Sequence, residues 1–261
     1  MPSTFFGWVG FLIKEYGGLF LRGTGVTLLI AVSGTVLGFL LGLLIAVVRT
    51  IELGPNAGKF ARFMLKIPKA ILGVYIEVFR GTPMIVQAMV IFYGVQQVLG
   101  IAMPRLGAAI FIVSINTAAY MAEIIRGGII SIDKGQTEAA HSIGMTHWQT
   151  MVNVVLPQAV RNIMPSIGNE FVVNIKDSSV LNVISVTELF FQAKSAAGTY
   201  YKYFEVYFII AAIYLVLTFT ITRILRLIEK KMDGADNYDL ATKDTLAHTS
   251  GMALYIEKED N

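Results

Sequence analysis

The sequence predicts an all-α polytopic membrane protein with its N-terminus outside and its C-terminus in the cytoplasm. Three observations carry that expectation. First, 55% of the 261 residues are hydrophobic and only 15% are charged, against roughly 25% charged in soluble domains, so much of the surface must face something other than water. Second, the charges are segregated: residues 23–48, 81–104, 106–122 and 206–222 contain no Asp, Glu, Lys or Arg, and about 20 apolar residues carry a helix across a bilayer. Third, if a fifth span is counted, Lys14, Arg22, Arg105, Lys194 and Lys202 fall in outer segments. Arg49, Lys59, Arg62, Lys66, Lys69, Lys134, Arg223, Arg226, Lys230 and Lys231 then fall in inner ones, the excess that marks cytoplasmic loops.

Residues 1–22 lack a basic leader and a small-residue cleavage pattern, so they do not read as a cleavable signal. Their aromatics Phe5, Phe6, Trp8 and Phe11 suit a segment at the membrane interface. The transmembrane body is expected over 23–232, with spans at about 24–48, 70–98, 106–130, 158–188 and 204–226. In the first span Gly34, Gly38 and Gly42 repeat every four residues, a spacing that lets helix backbones approach closely in lipid. Phe60, Phe63, Met64 and Ile67 then alternate with Lys59, Arg62 and Lys66 at helical spacing. This predicts an amphipathic helix along the inner leaflet or packed on the protein, turned back into the membrane at Pro68. The fourth span is left open by hydropathy, because Arg161, Glu170, Lys176 and Asp177 interrupt it. Residues 233–261 are polar and acidic without a hydrophobic period and read as a weakly ordered cytoplasmic tail.

Several functions are disfavoured by the same composition. A net charge of +3 gives no case for nucleic acid, and the absence of cysteine removes disulfides, thiolate metal sites and cysteine nucleophiles. His141, His147 and His248 form no metal spacing and no Ser/His/Asp set. No phosphate-binding G-x-x-x-x-G-K-S/T loop is present, so ATP hydrolysis is not expected of this chain. No cofactor or metal is expected either.

The most informative stretch is the inner loop 131–157. Asp133 is a candidate N-cap for a short helix, Gly144 can end it in the left-handed conformation, and Thr146 with Gln149 can form a capping box for a second helix. That second helix places Trp148, Met151, Val152 and Val155 on one face and is expected to stop at Pro157. Such a pair of short helices suits docking of another protein. Its residues Glu138, Ala139, Ala140, then Gly144, then Val154-x-Leu156-Pro157 resemble the EAA loop of ATP-binding-cassette importer permeases, departing from it only by Val for Ile at 154. More of the chain, about residues 20–232, resembles the polar amino acid branch of that superfamily, of the histidine/glutamine type. The landmarks are Gly25 to Leu28, Glu77 to Pro83, Asn116 to Tyr120, Glu123, Arg126 to Gly128, Gly135-Gln136, Gly168-Asn169 and Lys176 to Leu181.

The resemblance implies five core helices, including the doubtful fourth, and a prokaryotic plasma membrane location. It also implies a second permease subunit (identical or a paralogue), ATPase subunits carrying ATP and Mg, and an extracytoplasmic amino-acid-binding protein. Gly135, Glu138, Ala139, Ala140, Gly144, Leu156 and Pro157 then form the ATPase-coupling set. Ionisable residues within spans are functional candidates: Glu77 with Arg80, and Glu123 with Arg126, stand three apart and are expected to pair as structural or gating charges. Thr82, Gln87, Asn116, Tyr120, Asn174, Asp177 and Ser178 are the candidate lining of a substrate path, with Asp177 accepting an ammonium group; interhelical hydrogen bonding is the competing role for them. The competing reading is a small oligomeric channel or a transporter not driven by ATP; five spans without an internal repeat are few for the latter, and neither has a reason to carry the loop motif.

Overall fold

The computed structural model describes residues 2–51 and 58–232; the tail expected over 233–261 lies outside the described residues. The described chain is helical throughout, with elements α1 (Phe5–Thr50), α2 (Lys59–Gly81), α3 (Met84–Leu99), α4 (Arg105–Ile130), α5 (Lys134–Ser142), α6 (His147–Thr150), α7 (Leu156–Asp177), α8 (Leu189–Tyr200) and α9 (Tyr203–Met232). A π turn, Met151–Val155, joins α6 to α7, and a 3₁₀ segment, Ser178–Ile184, follows α7. Among the described residues α1, α4 and α9 are each long and apolar enough to cross a membrane, and α2 with α3 qualifies as a pair bent by 114°. The interrupted α7 does not qualify on composition.

Helix α1 continues through residue 22 without a break, for 46 residues in all. At 1.5 Å per residue it is about 70 Å long, more than twice the hydrocarbon thickness. Its first half is held by its own partners: Leu12 and Phe20 are buried against Leu189, Ala193, Ala196 and Ala197 of α8 and Val206 and Ile209 of α9. Trp8 is buried near Tyr200, with the Lys202 ammonium 5.0 Å from its ring centre.

The second half of α1 lies on α4. A Cβ added to Gly34 would stand 2.4 Å from Val113 Cγ1, one on Gly38 2.7 Å from Thr117 Cβ, and one on Gly42 2.5 Å from Met121 Cβ. The glycine stripe therefore packs within this chain, and the matched order of contacts shows that α1 and α4 run in the same direction. Helix α7 runs against α4: Ile163 meets Gly128 at one end, and Asn174 meets Thr117 nearer the other. Helix α9 runs against α7 in turn: Leu225 lies beside Gly168, and Tyr214 beside Ser178 at the other end. Between α1 and α4 the chain returns to its starting side through the bent α2–α3 pair.

Two proline expectations are corrected. Pro68 does not turn the chain, because α2 passes through it unbroken; an internal proline removes one backbone hydrogen bond and bends a helix without ending it. Pro157 does not end the second loop helix either. The residues before it widen into the π turn, the Leu156 N–H returns five residues to the Met151 carbonyl, and Pro157 falls in the first turn of α7, where no N–H is needed.

Candidate functional site

The loop between α4 and α7 is built from short-range caps. Asp133 accepts from the Gly135 N–H at 2.6 Å and starts α5. At its end Gly144 adopts φ +85°, its N–H donates to the His141 carbonyl at 3.0 Å, and the Met145 N–H reaches the Ala140 carbonyl at 3.1 Å. This is the paired closure that a left-handed glycine permits. The capping box forms: Gln149 N–H donates to Thr146 Oγ1 at 3.3 Å, and Thr146 N–H donates to Gln149 Oε1 at 2.9 Å. Asn162 of α7 ties the loop down through Ser131 Oγ at 3.1 Å.

On this frame Glu138 and Ala139 face outward while Ala140 is buried. Leu156 is half-buried, and Gly135 and Pro157 are exposed. Ile143 is 78% exposed and Trp148 73%, so a loop poor in charge presents two large apolar side chains that the other described residues do not cover. The Thr150 hydroxyl is buried and has no hydrogen-bond partner among the described residues.

The polar residues of the spans sort into two groups. Pro83 has no N–H to give the Phe79 carbonyl, and side chains take its place. Gln87 Nε2 lies 2.9 Å from the Phe79 and Thr82 carbonyls and 2.8 Å from Thr82 Oγ1. Asn116 Nδ2 donates to Gln87 Oε1 at 2.8 Å and approaches the Phe79 carbonyl at 3.5 Å. Gln87 is thus a buried repair of the α2–α3 break. Asn174 is also buried: its Nδ2 donates to Thr35 Oγ1 at 2.9 Å, and its Oδ1 accepts from Thr117 at 3.1 Å. Ser178 is fully buried and donates to the Ile175 carbonyl at 2.9 Å. Thr82 is exposed, and Asn116, Tyr120 and Asp177 are half-buried; of the seven candidates these four keep an open side.

The two expected charge pairs have different outcomes. No ion pair joins Glu77 and Arg80 among the described residues. The Arg80 guanidinium instead lies over the Tyr120 ring, 5.6 Å from its centre, a cation–π arrangement. Arg80 and Asp177 also lie close enough to act electrostatically on Glu170, so Arg80, Tyr120, Glu170 and Asp177 form one polar constellation across α2, α4 and α7. Glu123 and Arg126 do pair, at 2.8 Å, and Glu123 takes Arg49 of α1 as a second partner.

Sequence reasoning used Arg49 and Glu170 only as marks of where spans end or are interrupted. It also missed Glu188, which is fully buried, accepts from the N–H groups of Phe190 and Phe191 at the start of α8, and accepts the Tyr214 hydroxyl at 3.2 Å. The available signal was an acidic residue at the N-cap position directly before the Leu189-Phe190-Phe191 run.

Comparison with known proteins agrees with this architecture. The family described as binding-protein-dependent transport system inner membrane component matches residues 38–234. The arginine transport system permease protein of Bacillus subtilis (strain 168) is 36% identical over 216 residues, covering 83% of this chain and 93% of that protein. The glutamine transport system permease protein of Escherichia coli (strain K12) is 35% identical over 215 residues, covering 82% and 93%. A crystal structure of an amino acid ABC transporter with histidines superimposes with a TM-score of 0.77 at 39% identity, over 88% of this chain and 100% of that one. A family match across most of the chain, and relatives aligned over nearly their whole length, place this protein among the permease components of binding-protein-dependent ABC transport systems.

Proposed function

We propose that this chain is the translocating subunit of an ATP-binding-cassette importer that carries a polar or charged amino acid inward by alternating access. Separate ATPase subunits, holding ATP and Mg, supply the drive. The observation that carries the reading is the α5–α6 loop, whose Glu138 and apolar Ile143 and Trp148 project from a capped, rigid frame. A channel has no use for such a surface; an ATPase that must push on the membrane helices has.

The alternation of α1, the α2–α3 pair, α4, α7 and α9 supports five crossings with termini on opposite sides. The basic residues at the Thr50, Lys59 and Lys231 ends support a cytoplasmic location for that side, and for the loop with it, in a prokaryotic plasma membrane. A second permease subunit, identical or a paralogue, would cover the open sides of Arg80, Glu170 and Asp177, which no lipid would tolerate bare. The passage then runs past Thr82, Asn116, Tyr120 and Asp177, with Asp177 receiving the substrate ammonium after delivery by an extracytoplasmic binding protein. The relatives named for arginine and glutamine transport support this substrate class.

The test is purification from native membranes in mild detergent, reconstitution with the co-purifying ATPase, and ATP-dependent amino acid uptake. Glu138→Ala is expected to abolish uptake while the protein still inserts and folds. Normal uptake by that variant, or isolation of the chain without any ATPase, would overturn the proposal.

A further inference from the structure

Glu188 is a fully buried carboxylate, and among the described residues no Lys, Arg or His pairs with it. Such a group is costly inside a membrane protein unless donors surround it. Two of its donors are the N–H groups of Phe190 at 2.8 Å and Phe191 at 2.7 Å, which belong to α8 itself. The third is the Tyr214 hydroxyl of α9 at 3.2 Å. Capping alone is better served by Ser, Thr, Asp or Asn; the longer Glu side chain reaches Tyr214 as well.

The same place is tied to α1. A Cβ on Gly23 would stand 2.7 Å from Leu189 Cα and 3.0 Å from the Glu188 carbonyl carbon, so the two backbones touch. The Leu189 N–H donates to the buried Thr27 Oγ1 at 3.3 Å, and Thr27 in turn lies within hydrogen-bonding reach of the Tyr214 hydroxyl. Thr27, Tyr214 and Glu188 thus close a ring of hydrogen bonds from α8 to α1 to α9 and back to α8. In such a ring each bond polarises the next, and the whole is stiffer than its members taken singly.

Ser178 is fully buried, and its hydroxyl lies beside that of Tyr214. It follows Asp177, the last residue of α7, at the point where the chain tightens into the 3₁₀ segment. Asp177 makes no hydrogen bond among the described residues. Only its backbone therefore sets where its carboxylate stands, and that backbone is seated one residue on, through Ser178.

We propose that Glu188 and Tyr214 are positioning residues for the substrate: through Ser178 they hold Asp177 where it can receive the ammonium group of an amino acid. The proposal rests on the reading of Asp177 as the substrate acceptor. Glu188 supplies a fixed charge that orients the Tyr214 hydroxyl, and that hydroxyl seats the Asp177–Ser178 step without touching the substrate. The two carboxylates divide the work, one satisfied by three donors and rigid, the other left open for a ligand.

The test counts amino acids transported per ATP hydrolysed by the permease–ATPase complex, reconstituted with its binding protein and supplied with a mixture of labelled amino acids. This ratio does not depend on the amount of folded protein, so a merely structural loss leaves it unchanged. Tyr214→Phe keeps the aromatic ring and the α8 cap. It is expected to lower the ratio about tenfold, the order of one lost hydrogen bond to a charged group, because hydrolysis then proceeds with the passage empty. Glu188→Gln keeps the shape, removes the charge that orients Tyr214, and should act in the same direction. Asp177→Asn should lower the ratio as far as Tyr214→Phe does, and the two together no further, since both act through one carboxylate. If Asp177→Asn lowers the ratio while Tyr214→Phe or Glu188→Gln leaves it unchanged, the positioning role is overturned and the acceptor stands. A double variant whose losses multiply to about a hundredfold overturns it as well. An unchanged ratio in Asp177→Asn removes the acceptor reading, and the positioning role with it.

Discussion

Along one face of α4, Val113, Thr117 and Met121 receive the bare backbone of Gly34, Gly38 and Gly42; along another, Asn116 and Tyr120 meet the broken α2–α3 pair through an amide network and a guanidinium–ring contact. The first contact has no slack. Its attraction comes from many close dispersion contacts that are lost together if the helices part. The second is made of a few directional bonds around a break the backbone already has, and such bonds can exchange partners one at a time. The difference predicts that α1 and α4 hold together as one body, and that the Thr82–Pro83 joint is the place to look for rearrangement.

The strongest way to break this comparison is to put a side chain into the glycine seam. At Gly42 an added Cβ meets backbone atoms as well as Met121: Ala118 O and Ala122 N both stand 3.0 Å away. Gly42→Val is therefore expected to cost more than about 3 kcal/mol, the upper range for overpacking a tight core, seen as loss of folded protein in a detergent melting assay. Gly34→Ala, whose nearest obstacle is the Val113 side chain, should cost less. A Gly42→Val protein that melts like wild type would show that the seam is loose.

How much of this could be read in the sequence depends on the reach of each interaction. The loop frame was legible because Asp133, Gly144 and the Thr146–Gln149 box act within three to five residues of themselves. The glycine stripe was legible as a pattern, but its partner was not, since α4 is brought there only by the fold. The polar residues were legible as important and misread in detail. Gln87 meets Asn116 29 positions away and Asn174 meets Thr35 139 positions away, so periodicity alone could not distinguish repair of a helix break from a substrate contact. Arg80 failed for the same reason: three-residue spacing from Glu77 permitted a pair, but the guanidinium lies over Tyr120 on α4. Proline was over-read as a turn at 68 and as a stop at 157, because an internal proline at the first and a π turn before the second both let the helix run on.

A second test acts on the joint. Gln87→Leu removes the amide that serves Phe79, Thr82 and Asn116 together. Leaving those groups unpaired is expected to cost about 1–3 kcal/mol. If the joint moves during transport, the uptake rate of reconstituted protein should fall further than the shift in melting alone explains. Equal and small effects on both would make the network a static patch.

Glu123 lets the two faces be compared at the Ile130 end of α4, where it holds Arg126 of its own helix and Arg49 of α1. Glu123→Gln keeps the shape and removes the shared charge. With these side chains partly exposed, the expected loss is only about 1–2 kcal/mol, and it should shrink in high salt. A loss independent of salt would mean that the hydrogen-bond geometry, rather than charge, joins the helices.

The smallest expected effect divides the two kinds of contact within one side chain. Thr117 touches the seam with carbon, its Cβ and methyl lying nearest the position a Cβ on Gly38 would occupy, and it donates its hydroxyl to Asn174 Oδ1 at 3.1 Å. Thr117→Val keeps the packing and deletes the hydrogen bond, for an expected loss of about 1 kcal/mol. Thr117→Ser keeps the hydroxyl and deletes one methyl, worth about 0.8 kcal/mol of burial before any cavity penalty. Because the seam does not relax, that cavity term should add in full and make the serine variant the less stable of the two. Melting the pair side by side decides it: a less stable valine variant would mean that the Thr35–Asn174–Thr117 chain, and not the glycine packing, fastens α7 to the α1–α4 body.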